Sequence, residues 1–175
     1  MLSFALELFI QLFYMMGQEN ILIASRCIEK GYEFQIKGDV DKAISEYQSS
    51  IKYYPTARAH TLLGWAYSLQ GKFDSAIDEC YRAIEIDPAY ADSYIDIGVY
   101  LIELNKLDEA IVWLEKGINF LDFQASYFAF YHLGKANEKR GDWLSAIRYY
   151  NKAISANPDF EEAQNSAIKI STLLN

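Results

Sequence analysis

The sequence predicts an all-α fold, an α-solenoid of about four stacked helix–turn–helix units. Small residues recur with fixed offsets, apolar residues follow a helical period, and helix-ending residues take the same place in each unit. In the second unit the small residues are Gly64, Gly71, Ala76 and Ala83, separated by steps of seven, five and seven residues. The other units repeat these steps at Gly31, Gly38, Ala43 and Ser50, at Gly98, Asn105, Ala110 and Gly117, and at Gly134, Gly141, Ala146 and Ala153.

Each unit contains a pair of isoleucines that marks its second helix and a predicted end for each of its two helices. Isoleucines seven residues apart, or two helical turns, mark the second helix at Ile44 and Ile51, Ile77 and Ile84, Ile111 and Ile118, and Ile147 and Ile154. The first helix is predicted to end where a residue tolerates a left-handed conformation, at Gly38, Gly71, Asn105 and Gly141. Proline is predicted to end the second helix at Pro55, Pro88 and Pro158, whereas Asp122 takes this place in the third unit.

The leading glycines give the unit boundaries. They are 33, 34 and 36 residues apart, and the two extra residues of the longest spacing fall within 119–126. We therefore expect a repeat domain over residues 24–175, with units at 24–56, 57–90, 91–126 and 127–160. A capping helix is predicted at 161–174, with Ala163, Ala167, Ile168 and Leu174 facing inward.

An apolar segment precedes the repeats. Residues 1–23 are predicted to form a hydrophobic helix over 1–16 and a short polar link after Gly17. The apolar run carries Glu7 and Gln11 and is shorter than the roughly 20 residues that cross a bilayer. It could cap the first unit, lie on a membrane surface, or fill a groove of its own or a neighbouring chain. Met15 and Met16 would also allow a later translation start.

The composition disfavours several functional classes. The chain has 175 residues, 51% of them apolar, and a formal net charge of −8, which opposes phosphate and so disfavours nucleic acid as a partner. Cys27 and Cys80 are expected to be buried thiols in a reducing compartment, since a disulfide framework or zinc site needs more closely spaced ligands. We predict no metal and no cofactor, and a cytoplasmic location with a peripheral membrane location as the alternative.

The sequence offers little for catalysis. The two histidines, His60 and His132, lie far apart in the chain, and neither stands beside a serine or cysteine in a nucleophile motif. The glycines of the chain are accounted for by helix ends and helix contacts, and none is part of a phosphate-binding loop motif. The chain is therefore predicted not to be an enzyme.

From Ala24 to about Leu174 the chain resembles the tetratricopeptide repeat family. That family's motif has small residues at its eighth, twentieth and twenty-seventh positions, which match the recurring small residues above. It also has proline at its thirty-second position and a bulky residue at its eleventh. Asp122 departs from the proline in the third unit and Asn137 departs from the bulky residue in the fourth.

The resemblance implies a concave groove lined by the first helix of each unit. On the family's groove positions and their neighbours we predict a ligand site at Tyr32, Arg58, Trp65, Asp92, Ile95, Asp96, Val99, Tyr131 and Lys135. Trp65 is the expected aromatic anchor. Family members that hold chaperone C-termini use basic residues in this groove, where the present chain has Asp92 and Asp96 and would repel a carboxylate.

These observations predict a non-catalytic protein–protein interaction scaffold or adaptor that binds a peptide or helix in its groove. The expected ligand is apolar or aromatic with some basic character, because aspartates lie beside the apolar strip. The alternative is a membrane-associated or self-assembling repeat protein, in which residues 1–16 anchor the chain or mediate homo-oligomerisation.

Overall fold

The computed structural model describes residues 2–174, and within the first helix it describes the side chains of Glu7, Gln11 and every residue from Tyr14 onward. These residues form nine α-helices and no strand. The helices are α1 Leu2–Ile36, α2 Val40–Tyr53, α3 Ala57–Leu69, α4 Phe73–Ile86, α5 Ala91–Glu103, α6 Leu107–Ile118, α7 Tyr127–Arg140, α8 Trp143–Ala156 and α9 Glu161–Leu174. The predicted all-α solenoid is confirmed.

The helices pack as hairpins that stack in chain order. The closest pairs are α1 with α2, α3 with α4, α5 with α6 and α7 with α8, and each hairpin also contacts the next. The first helices additionally touch one another, α3 with α5 and α5 with α7, so they line one side of the stack. Buried apolar residues of the second to fourth units form one continuous core. This arrangement buries each unit's apolar face against its neighbours.

The recurring small residues lie where paired helices touch. A Cβ atom added to Gly98 would stand 2.5 Å from Leu114 Cγ, and one added to Gly31 would stand 2.5 Å from Tyr47 Cε1. The small residues of the second helices are also fully buried: Ala43, Ala76, Ala110, Ala146, Ser50, Ala83 and Ala153. The small residues therefore set the close approach of the helices.

The first helix of each hairpin ends in a left-handed residue, as predicted. The φ angles are 81° at Gly38, 73° at Gly71, 59° at Asn105 and 84° at Gly141. Asn105 is the one non-glycine with positive φ in the part of the chain that the structure describes, and asparagine is among the few side chains that tolerate it. A backbone hydrogen bond then closes each end, as when Lys106 N donates to Leu101 O at 2.8 Å.

The polar link predicted after Gly17 is wrong, because α1 is one continuous helix from Leu2 to Ile36. No proline interrupts this stretch, and its glutamine and glutamate are good helix formers, so a single glycine does not end the helix. Packing against α2 begins at Ala24, which is buried, and the earlier residues extend beyond that hairpin by about 30 Å at the usual helical rise.

The extension carries apolar side chains that no described residue covers. Tyr14 and Met15 are each 67% exposed, and Met16, Ile21 and Leu22 are also exposed. This part of α1 therefore does not fold back onto the first unit as a cap. Among the described residues, no helix combines the length and the hydropathy needed to pass through a lipid bilayer.

The last helix follows the predicted bounds but presents a different inner face. Ala163, Ala167 and Ile170 are buried, whereas Ile168 is 65% and Leu174 51% exposed, so the inward placement of these two residues is wrong. The buried stripe advances by four and then three residues, which leaves Ile168 beside that stripe in an open cleft with Asn151 and Ile154 of α8. Leu174 is the last residue of α9, where no further helix covers it.

Candidate functional site

A cavity of about 580 Å³ opens on the side of the stack formed by the first helices. Its walls come from α3, α5 and α7 and from the two connections that precede α5 and α7. The lining residues are Arg58, Thr61, Leu62, Trp65, Tyr90, Asp92, Ile95, Asp96, Leu121, Ala125, Tyr127 and Phe128. It is thus a mixed pocket, with aromatic and aliphatic walls and three charged side chains.

The floor of the cavity is held by contacts between α3 and α5. The Thr61 and Ser93 hydroxyls, both buried, lie 2.8 Å apart and form a hydrogen bond across the two helices. Thr61 Oγ1 also donates to Ala57 O at 3.0 Å, which leaves Ser93 as the donor between the two hydroxyls. Ile95 beside them is 6% exposed. The floor is therefore fixed, and recognition falls to the more exposed residues around it.

One wall of the cavity is the long connection over residues 119–126, which contains the insertion that the repeat spacing located. Leu121 and Ala125 reach the cavity from it. Asp122 holds the loop in shape: its carboxylate accepts from Ala125 N at 2.7 Å and its carbonyl accepts from the Ser126 hydroxyl at 2.6 Å. The long connection thus contributes part of the cavity wall, as the shorter connection before α5 does through Tyr90.

The charged groups of the cavity have no ion-pair partner among the described residues. Asp92, Asp96 and Arg58 are all absent from the ion pairs that this part of the chain forms. Burial, and then the neighbouring carboxylate of Asp92, raise the pKa of Asp96 to about 7. Burial and the same Asp92 raise the pKa of Tyr90 to about 12. The pocket therefore holds unneutralised negative charge next to aromatic rings.

The structure brings five of the nine predicted site residues into this cavity. They are Arg58, Trp65, Asp92, Ile95 and Asp96. Tyr32 stands next to them on α1, with its ring centroid 6.4 Å from that of Trp65. Val99 is partly buried against the core.

Tyr131 and Lys135 line a separate cleft of about 390 Å³ with residues of α8 and α9. Polar groups in this cleft bind one another: Glu138 accepts from the Tyr150 hydroxyl at 2.6 Å and from Lys169 Nζ at 3.0 Å. Tyr131 packs against Phe160 at a centroid distance of 5.2 Å. Because Glu138, the one carboxylate among the lining residues, is already paired with Lys169, this cleft has less to offer a basic ligand than the cavity.

Sequence reasoning left seven cavity residues out of the predicted site. They are Thr61, Leu62, Tyr90, Leu121, Ala125, Tyr127 and Phe128. Thr61 and Phe128 lie on groove positions of the family, and the unequal repeat spacing pointed to the loop that carries Leu121 and Ala125. Tyr90 lies in the connection before α5, and no sequence signal marked it.

Both histidines are buried outside this cavity and have structural surroundings. His60 Nδ1 lies 2.6 Å from Glu79 Oε2, and Arg82 donates to the other oxygen of Glu79 at 2.9 Å. His132 packs between the rings of Phe128 and Tyr131. Burial, assisted by the charge of Lys135, lowers the pKa of His132 to about 3, so its imidazole is neutral.

Cysteines and acidic residues form no metal site in the region described. Cys80 is buried and Cys27 half-buried, and the two are free thiols. No three histidine, cysteine, aspartate or glutamate side chains of the described residues are grouped so that they could hold a metal ion.

Comparison with known families gives three matches, each to a model described as "Tetratricopeptide repeat". They cover residues 29–91, 67–130 and 127–160. Consecutive matches overlap, and together they run from the last part of α1 to the connection before α9. The resemblance drawn from the recurring small residues is thus confirmed.

Among curated relatives, sperm-associated antigen 1 of Mus musculus is 30% identical over 99 residues, which are 57% of this chain and 11% of the relative. The chain thus spans about a tenth of that relative. Among solved structures, MamA is similar at 26% identity and a TM-score of 0.68, covering 85% of this chain and 80% of that one. YrrB, described as having an unusual peptide-binding site, is similar in fold at 19% identity and a TM-score of 0.67, covering 82% and 73%.

Proposed function

The chain belongs to the tetratricopeptide repeat family, and on this premise we propose that it is a non-catalytic adaptor that binds a peptide segment in the cavity between α3, α5 and α7. The observation that carries the proposal is the cavity itself, which combines exposed aromatic rings with unpaired charges on the side formed by the first helices. Tetratricopeptide repeat proteins generally act as interaction modules, and the solved structure of YrrB is described as having a peptide-binding site.

The ligand that fits best is an extended or helical segment with an apolar or aromatic anchor and some basic character. Trp65 is 39% exposed at the cavity wall, and Phe128 opposite it is 41% exposed. Large, partly exposed aromatic side chains at the centre of a concave surface are typical binding anchors. The two aspartates favour basic over acidic partners.

Trp65→Ala tests the groove, with Trp143→Ala as its matched control. Trp143 is 40% exposed, nearly the same as Trp65, but it lies outside the cavity. Random peptides displayed on phage would be selected on the whole chain, synthesised, and measured against both variants by calorimetry. We expect Trp65→Ala to weaken binding at least about tenfold and Trp143→Ala to leave it within about twofold. Selected peptides that bind Trp65→Ala as tightly as the unaltered chain would contradict a groove function.

A second candidate function is self-association through the projecting part of α1. Its favouring observation is the row of uncovered apolar side chains from Tyr14 to Leu22 on a helix that extends beyond the first hairpin. No lysine or arginine precedes Arg26, so anionic lipid would attract this segment only weakly. A second copy of the same helix could cover these side chains.

Removal of residues 1–16 is expected to lower the mass of the particle in light scattering, from an oligomer to a single chain. Helical content per residue from α2 onward should be retained, because those helices pack without the extension. Cosedimentation with phosphatidylcholine–phosphatidylserine vesicles is the parallel measurement. An unaltered mass after truncation would contradict self-association, and vesicle binding lost on truncation would favour the membrane instead.

A further inference from the structure

We propose that the cavity is a receptor for one basic side chain of the bound segment, a lysine or arginine whose cation lies between Asp92 and Asp96. This inference rests on the peptide-binding function proposed above and names the chemical group that this function selects. Nothing in the family comparison assigns such a site; it follows from the two carboxylates, the one basic residue and the aromatic rings that line one cavity.

Two carboxylates of α5 line the cavity. Asp92 and Asp96 are one helical turn apart on α5, so their side chains leave the same face of the helix, and both line the cavity. Arg58 is the one basic residue among the lining residues, and it pairs with neither of them. The cavity therefore has two carboxyl groups against one guanidinium group, and because the pKa of Asp96 is about 7, a bound cation would favour its ionised form.

The aromatic walls suit the rest of a long basic side chain. Trp65 on α3, Tyr90 before α5, and Tyr127 and Phe128 at the start of α7 surround the cavity. The methylene stem of a lysine or arginine packs well on such rings, and its charged head is attracted to their faces. An acidic side chain could pair with Arg58, but it would approach Asp92 and Asp96 at the same time and be repelled.

Behind the cavity lining, α5 carries a buried hydroxyl beside Asp96. Asp96 is half-buried and forms no ion pair among the described residues. Tyr100, one turn further along α5, is 3% exposed, and its buried hydroxyl forms no hydrogen bond of good geometry. Burial, and then the Asp96 carboxylate, raise the pKa of Tyr100 far above its ordinary value, which places the two groups in each other's field.

A half-buried carboxylate that has no ion-pair partner, such as Asp96, is costly unless a cation neutralises it. An ammonium or guanidinium group has several N–H donors in a small volume, so it can neutralise Asp96 and still serve Asp92. The same groups would be poorly served by a neutral apolar anchor, which would leave the carboxylates dehydrated and unpaired. The geometry thus favours a cation as the occupant.

The test uses the peptides selected on the whole chain. The basic residue of each peptide is replaced by an isostere without charge, norleucine for lysine or citrulline for arginine, and binding is measured on four proteins. These are the unaltered chain, Asp92→Asn, Asp96→Asn and, as control, Asp78→Asn, which removes an equal charge from an exposed position on α4. Circular dichroism checks that each variant is folded.

We expect the isostere to weaken binding to the unaltered chain at least about tenfold, and Asp92→Asn and Asp96→Asn to weaken binding of the basic peptide to a similar extent. On those two variants the isostere should cause little further loss, because the charge pair is already gone. Asp78→Asn should behave as the unaltered chain.

Two results would contradict the cation receptor. They differ in whether they also contradict the peptide-binding function of the groove. Peptides that require Trp65 but carry no basic residue, or that bind Asp92→Asn and Asp96→Asn unchanged, would refute the cation receptor and leave the groove function standing. Peptides that bind without any need for Trp65 would refute both.

Discussion

Gly98→Ala is expected to lower the free energy of unfolding by about 1–3 kcal/mol, the usual cost of overpacking a core contact. The added methyl group would stand 2.5 Å from Leu114 Cγ and 2.8 Å from Leu114 Cδ2. Leu114 is fully buried, and its branching carbon cannot move without shifting α6 against α5. Since α5 also contacts α3 and α7, the strain would spread through the middle of the stack. Urea denaturation followed by circular dichroism measures the effect.

Gly17→Ala is the matched control, because the same substitution meets no atom within 4 Å there. Gly17 lies in the exposed, projecting part of α1, where alanine favours the helix over glycine by up to about 1 kcal/mol. Its denaturation midpoint should therefore be unchanged or higher. Equal midpoints for Gly98→Ala and Gly17→Ala would contradict the assignment of Gly98 to a helix contact.

The repeat geometry could be predicted from the sequence because it depends on backbone rules that single residues express. Only residues that tolerate a left-handed conformation can close the first helices, and Gly38, Gly71, Asn105 and Gly141 all do so. The continuous α1 could not be predicted in the same way. One glycine and three polar residues suit a link as well as an exposed helix, and the absence of a competing contact decides for the helix.

Part of the candidate site was predictable for the same reason. A fixed repeat places the ninth residue of each unit on the inner side, which located Tyr32 and Trp65. It could not tell that Tyr131 and Lys135, which the repeat also placed on the inner side, line a different cleft, where Tyr131 packs against Phe160. That difference comes from the long loop and from α9, and both act through tertiary contacts that a repeat pattern does not contain.

Asp96→Asn is expected to raise the free energy of unfolding by roughly 2–4 kcal/mol near pH 8, which is unusual for the loss of a charge. The pKa of Asp96 is raised from 3.8 to about 7, first by burial and then by Asp92. An acid with a raised pKa in the folded state binds its proton more tightly when folded, so its ionisation costs stability. Each pKa unit corresponds to about 1.4 kcal/mol.

The direction of the Asp96 pKa shift determines the pH range in which ionisation of this carboxyl lowers the stability. Below pH 3.8 the carboxyl is protonated in both states and the penalty is absent; it grows through the interval up to about 7 and is complete above that. The unaltered chain should therefore lose stability relative to Asp96→Asn as the pH rises from about 4 to about 8, and Asp78→Asn, which removes a charge from an exposed position on α4, is measured in parallel as the control. A constant difference between the two curves across this range would contradict the assignment of Asp96 as a half-buried carboxylate without an ion-pair partner.

Stability and ligand binding should then change in opposite directions at this one residue. Asp96→Asn would make the empty chain more stable and would bind the basic peptides more weakly, because the carboxylate that costs folding energy is the one that receives the cation. A group with only a structural role would not separate the two measurements in this way. Strain of this kind, kept at a binding surface, is common where function needs a charge that the fold alone would exclude.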